Sequence, residues 1–310
     1  MSDLIDLHVH STASDGLLTP AQLVERAAAL GLRALALTDH DTVGGLKELH
    51  AAGAAVRARG GRLETVGGVE VSAQCTHGTM HLVGLFVEPD NEALRAFLKP
   101  LAEGRRERNP KIMERLRAAG LDITMEEVEA EAGLNADAGA GGGAVDKSVG
   151  RPHIAAVMLR KGFVADRQEA FDKWLAKGKP AYVPRFQATP DESIACIRAA
   201  GGLAILAHPP YLQARSEAEL EQIVAGLKAA GLNGVETYYA GYSPEQTSLC
   251  LRLAKKFDLA HCGGSDFHAP PAKNGASNAP ELGRGYGNLA VPYSVLERLR
   301  VLHDRLSSKT

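Results

Sequence analysis

The stretch DLHVHSTASDG places His8 and His10 two residues apart, with Asp15 close behind them. Imidazoles and a carboxylate with no thiolate among them suit a divalent ion such as Mn²⁺, Zn²⁺ or Fe²⁺. A lone His-x-His proves little, but the chain returns to the same side-chain chemistry several times. His40 lies between Asp39 and Asp41 in TDHD, Glu70 in GVEVSA, His81 in MHLVG, His208 in LAHP, and Asp266 and His268 in GGSDFH. His8, His10, Asp15, His40, Glu70, His81, His208, Asp266 and His268 are more ligands than one ion needs, so their number implies two or three ions. Ions held close together lower the pKa of a shared water.

The elements that must position these residues follow from hydrophobic pattern and end signals. LIDLHVH reads as a strand with Ile5, Leu7 and Val9 on one face and Asp6, His8 and His10 on the other. TPAQLVERAAALG has a Thr cap, Pro20 in the first turn, Gln22 for a capping box and Gly31 as a stop. LRALALTDH is a second strand, a helix covers roughly 43–60, and TVGGVEVSA and MHLVGLFV are two more strands joined around CTHG. If those two form a hairpin, His81 returns beside Glu70 or Ser72. The second half repeats the grammar: helix TPDESIACIRAAGG, strand GLAILAHPP, a helix over about 216–230, strand GVETYY, helix SPEQTSLCLRLAKKF and strand LAHCGGSDFH. Repeated βα units predict a largely parallel sheet, open or closed. Every candidate ligand except His81 then lies in or near the end of a strand, and the carboxyl ends of such strands form the functional face.

Between about 92 and 188 helical signals dominate, which predicts a helical insertion between two halves of one α/β domain. Within it GLNADAGAGGGAV (133–145) is of low complexity and reads as a loop or hairpin tip; it lacks a phosphate-cradling pattern. Trp174 and Phe171 fit the apolar side of an amphipathic helix and read as core. His50 and His303 read as surface residues, His77 as a turn residue and His261 as packing.

Composition narrows the class. The 310 residues carry a formal net charge of −2, with no overall basic excess of the kind that long nucleic acids call for. Cys75, Cys196, Cys250 and Cys262 form no CxxC and read as reduced thiols. No run approaches the roughly 18 apolar residues of a membrane span, and the N-terminus reads directly into a strand. The expectation is a cytoplasmic protein with no membrane association and no obligate protein partner.

Taken together, DLHVHSTASDG, TDHD, GVEVSA with MHLVG, LAHP and GGSDFH resemble the PHP (polymerase and histidinol phosphatase) family. The resemblance implies an α/β fold, a distorted (β/α)7 barrel, built from residues 1–91 and 189–310, with 92–188 as a helical cap. It implies one metal held by His8, His10, Glu70 and Asp266, a second sharing Glu70 with His81 and His208, and a third held by Asp15, His40 and His268. Mn²⁺ is the favoured ion, with Zn²⁺ or Fe²⁺ as alternatives. Glu70, His208 and Asp266 would hold the hydroxide that attacks phosphorus. Asp39 and Asp41 read as acceptors that orient histidines, and Glu236, Tyr238 and Tyr239 as residues of the strand-end rim.

Within the family, HSTASDG, TDHDTVGG and GRPHIA are similar to the branch of nucleoside 3′,5′-bisphosphate phosphatases and 5′→3′ exoribonucleases. The implied reaction is removal of the 3′-phosphate from a small bisphosphate such as adenosine 3′,5′-bisphosphate. The alternatives, in order, are trimming of short 5′-phosphorylated RNA, histidinol-phosphate hydrolysis, and a metal-binding module without catalysis. Histidinol phosphate ranks lower because Asp15 stands where that branch has a third-site histidine. A substrate phosphate calls for guanidinium forks. The candidates are Arg151, placed just before a helix with Pro152 in its first turn, then Arg185, His153, Asn109 and Arg105.

Overall fold

The computed structural model describes residues 3–132, 149–270 and 279–308. The low-complexity stretch 133–145 therefore lies outside the described residues. The first half runs β1 (Leu4–Asp6), α1 (Pro20–Ala29), β2 (Ala34–Leu37), α2 (Leu46–Ala58), β3 (Glu64–Ala73) and β4 (Met80–Leu85). The helical middle holds α3 (Glu92–Ala118), α4 (Met125–Glu131), α5 (Arg151–Arg160) and α6 (Arg167–Ala170), then a π-helical turn at Phe171–Leu175. The chain returns through α7 (Pro190–Ala199), β5 (Leu203–Leu206), a 3₁₀ turn at Pro209–Leu212, α8 (Glu217–Ala229), β6 (Gly234–Tyr239), α9 (Pro244–Lys256), β7 (Ala260–Gly264), β8 (Val291–Pro292) and α10 (Ser294–Ser307).

The strands form one sheet in the order β7-β6-β5-β4-β3-β2-β1-β8. β4 is antiparallel to both neighbours and the two-residue β8 is antiparallel to β1, while the remaining pairs are parallel. Beyond the ends of β1 and β7 the two chain segments are laced together. Leu7 N–H donates to Gly263 O at 3.2 Å, Asp266 N–H to His8 O at 2.9 Å and His10 N–H to Phe267 O at 2.9 Å. The sheet is thus a nearly closed, distorted barrel, as the resemblance implies. β1 is shorter than LIDLHVH suggests. Its ladder stops at Asp6, and His8 and His10 stand at the barrel mouth, where one further bridge joins Val9 to Phe267.

The expected hairpin is present, with Ser72 opposite His81 and Glu70 opposite Val83. Paired residues share a face. Glu70, Ser72 and His81 therefore lie on the side of the sheet that carries Val83, which packs with Ala36, Ile205 and Leu296. Val69, Val71 and Leu82 point the other way, into a core shared with Leu23, Leu46 and Ile194 of the surrounding helices. Each such side chain, fully buried, stabilises the fold by about 1.5–3 kcal/mol. Three barrel helices begin alike. Thr19 with Gln22, Thr189 with Glu192 and Ser243 with Gln246 form capping boxes, each with a proline in the first turn.

Helix α3 belongs to both halves of the molecule. Leu94, Leu98 and Leu101 join the barrel core. Ile112, Met113 and Leu116 join a separate core with Ile154, Val157 and Leu175, against which Phe171 and Trp174 pack. Between the two apolar stretches of this one helix lie Arg105, Arg108 and Asn109, all buried. The fold thus carries arginines into the seam between barrel and cap. Among the described residues no helix is long and apolar enough to cross a membrane.

Candidate metal centre and anion cavity

Glu70 is the hub of the barrel mouth. Its Oε1 lies 2.8 Å from His81 Nδ1, 3.1 Å from His208 Nε2 and 3.3 Å from His8 Nε2. Its Oε2 lies 2.8 Å from His40 Nδ1 and 3.2 Å from His10 Nε2. Asp266 Oδ1 is 3.0 Å from His10 Nε2 and 3.4 Å from His8 Nε2. Asp15 Oδ1 is 3.3 Å from His268 Nε2, and its Oδ2 is 3.8 Å from His40 Nε2.

Three groups capable of holding an ion emerge: His8, His10, Glu70 and Asp266; His10, Asp15, His40 and His268; and His40, Glu70 and His81. His208 Nε2 joins the last from 3.3 Å off His81 Nδ1. The sequence reading had assigned His10 to the first group and His40 to the group with Asp15 only. In the structure both histidines stand between groups.

The donors fit divalent metal. His8 Nε2, His10 Nε2, His40 Nδ1 and Glu70 Oε2 are buried with no aligned hydrogen-bond partner, although other ligand atoms lie close by. Atoms crowded together without donor–acceptor alignment are aimed at common points between them. A buried polar atom left unpaired costs about 1–3 kcal/mol, and an ion at such a point removes that cost for several atoms at once.

Charge follows the same logic. Burial opposes the charge on His10, but Asp266 and Glu70 outweigh it and raise the pKa to about 10. His8 is likewise raised, against burial, by Glu70, Asp266 and Glu236. Burial prevails at His40 and, helped by Arg105, lowers it to about 4. Burial also works against Glu70, Asp15 and Asp266, yet the facing imidazoles hold all three well below the ordinary carboxylate range. In the metal-free protein, protons on His8 and His10 thus balance carboxylate charge that metal would otherwise meet.

An outer layer fixes the ligands. Glu236 Oε1 lies 3.1 Å from His8 Nδ1, and its Oε2 accepts the His208 N–H at 2.8 Å. Tyr239 donates its hydroxyl to Asp266 Oδ2 at 2.9 Å, leaving Oδ1 toward the histidines. Asp39 accepts from the hydroxyls of Ser11 and Ser14, and Ser14 Oγ is 3.4 Å from His10 Nδ1. Asp41 departs from the sequence reading, because it orients no histidine. Its backbone takes a positive φ of 56°, and its carboxylate accepts from Arg105 Nε at 2.8 Å and faces Arg185 Nη2 at 3.2 Å. His208 (φ 28°) and Asp266 (φ 54°) share this uncommon backbone region, which is costly for non-glycine residues and concentrates at functional sites.

Beside the cluster is a cavity of about 140 Å³. Asp15, His40, His81 and His268 line it together with Arg105, Arg108, Arg151 and Arg185, and Phe171 and Tyr182 border it. Arg105 also donates to Ser72 Oγ at 2.9 Å. Arg151 is the first residue of α5 rather than a residue before it. It donates to Leu175 O at 3.0 Å and lies 5.7 Å from the Phe171 ring centre. A second cavity of about 260 Å³ adjoins the first and shares Thr79, Arg151, Phe171, Tyr182 and Gln187 with it. Phe171, read as core from sequence, thus both packs on the cap core and lines the opening.

Two expected phosphate contacts stand elsewhere. The Asn109 amide donates to Val149 O at 2.7 Å, and His153 Nδ1 accepts the Gly150 N–H at 3.1 Å. Neither lines the arginine cavity; both shape the entry to α5.

Residues 6–136 match the PHP domain model. Over 272 residues the chain is 38% identical to a 3′,5′-nucleoside bisphosphate phosphatase of Chromobacterium violaceum, covering 86% of this chain and 87% of that one. The chain belongs to the PHP family. It is a phosphoesterase whose clustered histidines and carboxylates suit divalent metal. A 5′-3′ exoribonuclease of Haemophilus influenzae is 36% identical over 270 residues, covering 87% of this chain and 92% of that one. A solved structure from Chromobacterium violaceum, described as an amidohydrolase with bound sulfate and no metal, superposes with a TM-score of 0.77. It is 33% identical and covers 96% of both chains.

Within this PHP barrel the sequence reading did not single out Arg108, and it placed Glu236 only on the rim. The signal for Arg108 was the helical spacing Leu101, Arg105, Arg108, Ile112, one buried stripe of α3. Glu236 had a quieter signal, a carboxylate inside a strand that otherwise reads as core.

Proposed function

We propose that this phosphoesterase removes the 3′-phosphate from nucleoside 3′,5′-bisphosphates such as adenosine 3′,5′-bisphosphate. The observation that carries this reading is the shared wall. His40, His81 and His268 line the same cavity as four arginines, so a site for divalent cations and a site for an anion adjoin. A substrate with two phosphates matches that pair.

In this reading His8, His10, Glu70 and Asp266 hold one ion, Glu70, His81 and His208 a second, and Asp15, His40 and His268 a third, with Mn²⁺ the proposed metal. Such ions, when bound, lower the pKa of water and neutralise the phosphate that is attacked. The chain's own residues do the rest. Glu236 and Tyr239 hold His8, His208 and Asp266 in place. The pKa of His40, depressed to about 4, leaves its imidazole neutral at pH 7. Arg105, Arg151 and Arg185 grip the 5′-phosphate, and Phe171 and Tyr182 border the cavity that receives the nucleoside.

A second reading, 5′→3′ trimming of short 5′-phosphorylated RNA, shares the same site. It is supported by the adjoining 260 Å³ cavity, which offers room for more of a chain, and by similarity to exoribonucleases. Amide hydrolysis is disfavoured, because a neutral amide has no use for four guanidiniums. The sulfate bound by the similar Chromobacterium protein fits a phosphate-shaped ligand.

The test is phosphate release by Mn²⁺-loaded protein from adenosine 3′,5′-bisphosphate, with AMP and histidinol phosphate alongside. The bisphosphate should release phosphate at least about tenfold faster than histidinol phosphate, which lacks a second charge-assisted phosphate contact; AMP, which has no 3′-phosphate to lose, should release none, and EDTA should stop the reaction. Equal release from AMP contradicts the reading. Turnover of a 5′-phosphorylated oligoribonucleotide alone selects the second.

A further inference from the structure

Arg108 stands apart from the other arginines of the cavity. Its side chain is buried, with the residue 5% exposed, and among the described residues no carboxylate pairs with it. Its Nε has no hydrogen-bond partner, and among the described residues its one hydrogen bond is Nη2 to the Oδ1 of neighbouring Asn109 at 3.4 Å, a long bond. The other three are engaged: Arg105 and Arg185 with Asp41, and Arg151 with Leu175 O. A charge removed from water is costly unless paired and hydrogen-bonded. The neighbours make matters worse, since Arg105, Arg151 and Arg185 all repel it. Four guanidiniums line the cavity against one lining carboxylate, Asp15, with Asp41 paired to two of them from behind.

Position adds a second observation. Arg108 and Arg185 line the inner cavity and also an outer groove of about 460 Å³ beside Glu107, Lys111 and Phe186. They therefore lie between the metal side and the outside. Arg185 is tied to Asp41, so Arg108 is the member of this shared wall with free donors.

We propose that Arg108 is the end wall of the cavity and binds a terminal phosphomonoester dianion, the substrate phosphate that is not hydrolysed. The planar fork donates two bonds to such a group, and a terminal phosphate offers three unesterified oxygens. A chain continuing past that phosphate would collide with Arg108 and Arg185. The site thereby reads a 5′ end rather than any phosphate. This rests on the bisphosphate reading above and deepens it.

The test measures kcat/KM with Mn²⁺-loaded protein on adenosine 3′,5′-bisphosphate and on 3′-AMP, which lacks the 5′-phosphate. If the wild-type protein releases phosphate from neither, the functional reading itself fails, and this is known before any variant is made. If it prefers the bisphosphate, Arg108→Ala should reduce that ratio by about tenfold to a hundredfold, the range for a hydrogen bond to a charged group. Arg117→Ala, an exposed arginine on the same helix, should leave the ratio unchanged. An unchanged ratio in Arg108→Ala overturns the proposal while leaving the function standing. Should Arg108→Ala fail to fold, Arg108→Lys keeps the charge but loses the fork; a severalfold fall in the ratio supports the proposal and no fall overturns it. Adenosine 3′-phosphate with a methyl ester on its 5′-phosphate should lose about tenfold in the wild-type protein. Turnover equal to that of the bisphosphate contradicts end reading.

Discussion

The two walls of the site are incomplete in opposite senses. On the barrel side Glu70, Asp15 and Asp266 are surrounded by imidazoles, and several buried ligand atoms have no aligned hydrogen-bond partner. On the cap side four arginines line one cavity; Arg105 and Arg185 share Asp41, and among the described residues no carboxylate pairs with Arg108. Neither wall is a self-satisfied ion-pair network of the kind that serves stability alone. In the proposed function each is completed from outside, one by metal and the other by an anion. A phosphorylated substrate joins the two.

The largest break in this comparison comes from the barrel side. His10 faces Glu70, Asp266 and Asp15 together, so His10→Ala should lower phosphate release by about a thousandfold, the several kcal/mol that metal supplies. Circular dichroism should show the fold retained. Activity at the wild-type level removes the metal assignment.

On the cap side, Asp41→Ala strands Arg105 and Arg185. Breaking a buried pair in this way costs about 3–5 kcal/mol, which chemical denaturation measures. Added inorganic phosphate should recover part of that loss by taking the place of the missing carboxylate. No loss of stability means the arginines do not depend on Asp41.

A smaller effect separates support from ligation. Glu236→Gln weakens the hold on His8 and His208, so metal affinity should fall about tenfold to a hundredfold. Calorimetric titration gives the affinity, and excess Mn²⁺ should restore turnover. Unaltered affinity leaves Glu236 with no role in the centre.

The gentlest test varies pH. In the metal-free protein the His10 pKa is raised from 6.5 to about 10. Its stabilising contribution is therefore complete below about 6.5 and is lost as pH rises through about 10. His8 acts in the same direction. Melting temperature in EDTA should fall across that window. With Mn²⁺ bound the imidazoles are neutral ligands, and the fall should vanish. Identical profiles with and without metal contradict the idea that protons stand in for ions.

The barrel side was legible in the sequence because type and position coincide there. His8, His40, His208 and Asp266 stand at or just past strand ends, and a short turn between two strand patterns brought His81 back beside Glu70 or Ser72, of which the structure selects Ser72. The cap side was less legible. Arg105, Arg106 and Arg108 are alike in type, and only the rotation of α3 decides which of them face the cavity. Asp41 resembled a histidine-orienting residue until its positive φ turned it toward Arg105 and Arg185. Asn109 and His153, read as phosphate grips, lie off the arginine cavity and bond backbone groups at Val149 and Gly150, while His153 Nε2 keeps no partner beside Asp15 and His268. Hydrogen-bond partners such as these depend on how two separate cores meet, and no local pattern encodes that meeting.

The most direct measurement is anomalous diffraction at the manganese edge from crystals grown with Mn²⁺ and phosphate. The account predicts at least two peaks, one among His8, His10, Glu70 and Asp266 and one among Glu70, His81 and His208, with phosphate density against Arg108. Absence of peaks at Glu70, or phosphate bound away from the arginine wall, would contradict it.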